Sequence, residues 1–114
     1  MHDLKWSAAE KKIARRAYEA ARERALAGVM AEFKAKAAAA VTSSDMWDVE
    51  DYLRQHRAEF DEMFDYRYSR LPFVFAWLIR GGHLDEAWLA GLSEEKLSVI
   101  RSLRSLNVSD SSRT

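Results

Sequence analysis

Met46, Val49, Leu53, His56, Phe60 and Met63 follow one another at intervals of three and four residues, the spacing that keeps one side of an α-helix on a common seam. The pattern predicts a long second helix over 44–70 with that seam as its buried side. At about 100° per residue, Trp47 lies roughly 140° from the middle of the seam, beside Asp51, Arg54 and Ala58. Upstream, Ser7 and Glu10 have capping-box spacing. A first helix over 8–41 follows, with Ile13, Ala17, Leu26, Met30, Phe33, Ala37 and Ala40 on its apolar face and Thr42-Ser-Ser as the turn and next N-cap. Such a helix is a rod of roughly 50 Å, longer than the ~35 Å expected across a compact domain of this size.

Leu71-Pro72 predicts the end of the second helix, because proline disfavours helical geometry in the residue before it and suits the start of a new helix. The apolar stretch after Pro72 is a short buried helix stopped by Gly81-Gly82. His83 to Ala90 make another turn or two, closed by Gly91. Ser93 caps a last helix, with Leu92 able to staple onto Leu97, and Leu97, Ile100, Leu103 and Leu106 on its core side. The expected architecture is all-α: an extended hairpin of two long helices plus a small helical head over 72–106. One domain spans 1–107, with a disordered polar tail over 108–114. A hairpin of two long apolar faces leaves part of each seam wet unless a second subunit closes it, so a homodimer is expected. The other arrangement folds the C-terminal third over the seam.

Composition narrows the function. The 114 residues are 48% hydrophobic, enough for one core, with one Pro, four Gly and no Cys. Absent thiols exclude disulfides and favour a reducing compartment. The N-terminus lacks the apolar core of a signal peptide, and the longest apolar run, Leu71 to Ile79, is far short of the ~20 residues of a membrane span. A cytoplasmic protein without membrane insertion is expected. Net charge is zero but segregated: residues 1–41 carry nine Lys/Arg against five Asp/Glu, residues 42–65 two against eight, and the rest seven against five. The acidic second helix repels nucleic acid and attracts a basic protein face.

Trp47, with the i, i+4 pair Glu50 and Arg54 and with Asp51 one turn on, forms an outward indole in a charged frame, a candidate partner-binding patch. Enzyme chemistry finds no purchase. His2, His56 and His83 belong to no metal-ligand spacing, and the carboxylates Glu59, Asp61, Glu62 and Asp65 spread around the helix rather than converging. No serine sits in a nucleophile elbow, and no cofactor motif is present. The cluster Phe73, Phe75, Trp77 and Trp88 reads as head core. Lys11-Lys-Ile-Ala-Arg15-Arg is basic enough to touch nucleic acid, but Glu10, Glu19 and Glu23 dilute it and no recognition motif follows, so it reads as a solvated face.

Three stretches are specific beyond helical periodicity: Trp47-Asp-Val-Glu-Asp51-Tyr-Leu-Arg-Gln-His-Arg57, Phe64-Asp-Tyr-Arg67 and Phe73-Val-Phe-Ala-Trp-Leu-Ile-Arg-Gly-Gly82. In these the chain resembles the fluorescence recovery protein family of cyanobacterial photoprotection, and weaker similarity extends over most of its length. The resemblance implies a non-enzymatic homodimer that binds the C-terminal domain of the light-activated orange carotenoid protein, or a homologue, and hastens its return to the inactive orange form, ending quenching of phycobilisomes. It implies functional roles for Trp47 and Asp51, dimer contact and activity for Arg57, a dimer-interface position for Met46, and a partner-facing position in the head for Phe73. Val49, Leu53, His56 and Phe60 complete the expected dimer face. The chain departs from the family pattern in carrying Glu50 where histidine is common, an acceptor in place of a titratable donor, in Pro72, and in its Ala- and Arg-rich first helix. The alternative function is an adaptor or scaffolding helical dimer that binds a different protein partner in an organism without the carotenoid switch.

Overall fold

The computed structural model describes residues 5–112, with side chains through Ser105. Four helices follow in order: α1 Ala8–Ala39, α2 Ser43–Met63, α3 Leu71–Arg80 and α4 Glu94–Ser112, with a 3₁₀ turn at Glu86–Leu89 before α4. The molecule measures 53 × 34 × 21 Å, the long axis matching the roughly 48 Å rise of α1. Both long helices begin with the chemistry expected of N-caps. The Ser7 hydroxyl accepts from the Glu10 amide while the Glu10 carboxylate accepts from Ser7. Thr42 and Asp45 make the same reciprocal pair at α2, and the Asp45 carboxylate also accepts from the Val41 amide.

The core lies at one end. Ala14, Ala17, Tyr18 and Ala21 of α1 pack against Leu71, Val74, Phe75, Ala76 and Leu78 of α3 and against Leu84, Leu89, Leu92 and Ile100. The buried stripe of α1 therefore differs from the expected one. Small residues at 14, 17, 21 and 25 let the head approach the helix axis closely, while Leu26 and Met30 are exposed. Phe75 is fully buried, and Trp77 and Trp88 are half-buried at the edge of the head. Gly82, at φ +78°, closes α3 as the C′ residue: the His83 amide reaches back to the Leu78 carbonyl and the Gly82 amide to Ile79. Gly91 sits at φ +105°, a backbone conformation that is strained for any side chain, and an added Cβ would lie 2.5 Å from Ile13 Cδ1, so Ile13 would have to shift.

The second helix is shorter than the periodicity predicts, ending at Met63 rather than at residue 70. Tertiary contacts override the pattern there. Phe64 leaves helical geometry, and Tyr66 swings onto Tyr18 at a centroid separation of 4.7 Å. The Asp65 carboxylate accepts from the Arg67 amide, a local bond that competes with helix continuation. Arg67 then accepts at its carbonyl from Arg70 and Leu71 to turn the chain into α3, whose first turn holds Pro72. At the far end α4 runs on to Ser112, through most of the segment expected to be disordered. Arg113 and Thr114 lie outside the described residues, as does His2, and so does the expected core contact of the Leu106 side chain.

A buried ion pair joins the two ends of the chain. Lys96 of α4 sets its ammonium 3.2 Å from Glu10 Oε1, and both side chains are almost wholly buried. The second oxygen of Glu10 accepts from the Ser93 amide at 2.9 Å, and Lys96 also donates to the Lys5 carbonyl and lies over the Trp6 ring. The Ser7 amide, joined by the Ser93 amide and the Lys96 ammonium, holds the Glu10 carboxyl down at about 2, against the opposing effect of burial. Because the folded value lies below the unfolded one near 4.5, this stabilisation is present above pH 4.5 and is lost as pH falls toward about 2. Glu10→Ala, which strands the Lys96 ammonium, is expected to lower unfolding free energy by about 3 kcal/mol. Urea titrations at neutral pH and at successively lower pH measure both effects, and the variant should show a shallower acid dependence than the parent.

Candidate protein-binding face

No residue of α2 is buried. The helix rests on α1 by one side only, through Tyr52, His56, Phe60 and Met63. Tyr52 Oη donates to Glu32 Oε2 at 2.9 Å, the Lys36 ammonium lies 5.2 Å from the Tyr52 ring, and His56 stacks beside it at 4.2 Å. Desolvation, reinforced by the Glu32 carboxylate, pushes the Tyr52 phenol above its ordinary value. Phe60 lies under Arg22 and beside Phe64. Tyr52, at i+3 from Val49 and i−4 from His56, was legible as a seam position by spacing alone, but its polar tip and charged neighbours hid it.

The outward side carries the predicted patch. Trp47 is 57% exposed. Glu50 and Arg54 form the expected i, i+4 ion pair, with Asp51 exposed alongside. The six seam residues divide between two surfaces. Val49, His56, Phe60 and Met63 are half-buried on the α1 side, whereas Met46 and Leu53 are exposed, as is Arg57 outside the seam. Leu26, Met30 and Val41 add exposed apolar surface to the same hairpin, Val41 at its tip being 90% exposed. Between α1 and α2, where Ala25 and Gly28 face Tyr52, His56 and Phe60, the helices leave an open cleft of about 320 Å³.

Phe73 does not join this patch within one chain. It sits half-buried on α3, 5.5 Å from the Arg70 guanidinium, in the head that packs on residues 14–21 of α1. Trp47 lies near the hairpin tip, beyond the notch where Lys36, Ala39 and Ala40 meet Asp48 and Val49. About 25 Å of helix separates the two. Among the described residues, no group of three or more His, Cys, Asp or Glu is placed to hold a metal ion, and no helix is long and apolar enough to cross a membrane.

The family of the photoprotection regulator fluorescence recovery protein matches residues 6–104, which span the hairpin, the head and most of α4. This chain belongs to the fluorescence recovery protein family. It is 35% identical over 101 residues to the fluorescence recovery protein of Synechocystis sp., covering 89% of this chain and 93% of that one. Its fold superimposes on the fluorescence recovery protein of Fremyella diplosiphon with a TM-score of 0.84 at 36% identity, covering 87% of this chain and 97% of that one. The structure of the Synechocystis sp. PCC 6803 protein matches at a TM-score of 0.83 and 34% identity, with the same coverage. The all-α hairpin-and-head fold is thus the family fold, and the family is one of photoprotection regulators.

Exposure separates side chains that hold this fluorescence recovery protein fold from side chains that do not. Trp47→Ala should change unfolding free energy by less than about 0.5 kcal/mol, whereas Phe64→Ala, which removes the half-buried ring that touches both Phe60 and Tyr18, should cost about 2 kcal/mol. Chemical denaturation of the two variants checks the contrast.

Proposed function

We propose that this chain is a non-enzymatic regulator that binds the C-terminal domain of the photoactivated orange carotenoid protein, or a homologue of that domain, and speeds its return to the inactive orange form, so ending phycobilisome quenching. The observation that carries the reading is the exposed indole of Trp47, near the Glu50–Arg54 ion pair and Asp51 along a helix with no buried residue of its own. A rigid aromatic with a polar rim is the usual anchor of a protein interface. Family membership supplies photoprotection as the setting. Such a regulator acts by differential affinity: it binds one conformation of the partner better than the other and lowers the barrier between them or shifts their populations.

The same reading includes a cytoplasmic homodimer. Met46 and Leu53 of α2 and Leu26 and Met30 of α1 remain exposed in a single chain, and a second copy laid on the hairpin would cover them, with Arg57 at the rim. Dimerisation would also set a second head near the tip of the first hairpin, the arrangement by which Phe73 of one copy and Trp47 of the other would meet one partner. Glu50 in place of the family's common histidine makes this patch an acceptor paired with Arg54.

Two measurements test the proposal. Added to photoactivated carotenoid protein in the dark, the chain should accelerate absorbance recovery, and Trp47→Ala should remove most of that acceleration, at least ~10-fold in the concentration required, while leaving oligomeric state unchanged. No acceleration by the intact protein would reject the activity. Separately, Leu53→Glu should convert the dimer to monomer in analytical ultracentrifugation, because a carboxylate would be buried at the seam.

A further inference from the structure

The Lys11-Lys-Ile-Ala-Arg15-Arg run, which the regulator reading leaves unused, is more ordered than a solvated helix face. Lys11, Lys12, Arg15 and Arg16 are all exposed and line a shallow groove of about 430 Å³ with Glu19. The i, i+4 pairs Lys11/Arg15 and Lys12/Arg16 form two adjacent rows along the helix, each about 6 Å long. The cations of the first row are placed by aromatic rings. The Arg15 guanidinium lies 3.8 Å from the Tyr66 ring centroid, and the Lys11 ammonium lies 5.3 Å from that of Tyr68. Those rings are themselves held, Tyr66 edge-on to Tyr18 at 4.7 Å and Tyr68 beside Trp6 at 5.6 Å. Among the described residues, the only carboxylate in ion-pair reach of the four cations is Glu19, 3.9 Å from Arg15 and itself exposed.

We propose that this ridge is a second docking surface, one that takes a carboxylate-rich polypeptide segment of a partner protein. A stacked guanidinium has already lost much of the side-chain freedom that an exposed arginine gives up on binding, and its N–H groups, met only by exposed Glu19 at 3.9 Å from Nε, stay available to a carboxylate. The geometry favours an acidic polypeptide over nucleic acid. Two rows of about 6 Å engage few phosphates, and the tyrosine and tryptophan faces that would stack on bases are occupied by Arg15, Lys11 and each other. Charge complementarity supports an anionic occupant, since residues 1–41 are net basic in a chain of net charge zero. From Arg15 to the end of α1 at Ala39 is about 36 Å of helix, so the ridge and the Trp47 patch are separate surfaces, and either can fail without the other.

Fluorescence anisotropy with a labelled polyglutamate peptide at low salt tests the assignment, with labelled single-stranded DNA measured in parallel. The peptide should bind, and raising the salt should weaken it. Lys12→Glu with Arg16→Glu, neither of which stacks on a ring, should lower affinity at least ~10-fold with unchanged circular dichroism. Arg15→Lys, which keeps the charge and loses the planar stack, should lower it about 3-fold. Absence of peptide binding, tighter binding of DNA, or full affinity in both variants would overturn the proposal. Salt-sensitive self-association without peptide binding would assign the ridge to a second copy and overturn it equally.

Discussion

One buried carboxylate ties the start of the chain to the start of its last helix. Glu10 closes the cap of α1 through Ser7, accepts from the Ser93 amide at the start of α4, and pairs with Lys96 inside the same pocket. An isolated buried ammonium or carboxylate would be strongly unfavourable, so each requires the other and the two helix starts cannot move apart independently. This fixes the head on the first turns of α1, where alanines leave room for it. Everything beyond Ala25 follows by subtraction. The head has spent its apolar surface on residues 10–25, and the rest of the hairpin has only the other helix to lean on.

The aromatic residues form a second tie along the same helix. Trp6, Tyr68, Tyr66, Tyr18, Phe64 and Phe60 pass from ring to ring at centroid separations of 4.4 to 5.7 Å. Lys96, Lys11, Arg15 and Arg22 lie over rings of this chain. Offset and edge-on contacts of this kind add directional preference to simple burial, and they hold the 64–70 segment against α1 as an ordered connection. Burial raises the Tyr66 phenol to about 12, which keeps it neutral within the stack. The connection in turn sets the angle at which α3 leaves the hairpin.

A division of labour results. The head end supplies the fold's internal cohesion and a basic, ring-supported ridge, while the hairpin end supplies exposed apolar side chains and an acidic helix with Trp47 exposed on it. An exposed apolar stretch at one end of a well-packed domain is a candidate interaction surface. That arrangement is compatible with membership of a family of photoprotection regulators.

Local rules were enough to read several features from the residues. The capping pair at Ser7/Glu10, an N-cap within Thr42-Ser-Ser, the glycine stop after α3, the helical class and the outward Trp47 all depend on neighbours within one or two turns. The family resemblance, too, rested on short runs around Trp47 and Phe73. What required the tertiary structure involves residues far apart along the chain. The Glu10–Lys96 pair spans 86 positions, and no periodicity announces it. The end of α2 at Met63 was hidden because the helical pattern continues past it; only the presence of Tyr18 and Arg15 on a neighbouring helix makes it more favourable for Tyr66 to leave the helix than to extend it. Likewise, the split of the α2 seam into a side that meets α1 and a side that faces water depends on where α1 lies. The sequence alone determined which residues favour helix and where helices can start. The packing of the head decided which of their faces were left uncovered, because burial is settled by competition among all apolar surfaces at once rather than by any one of them.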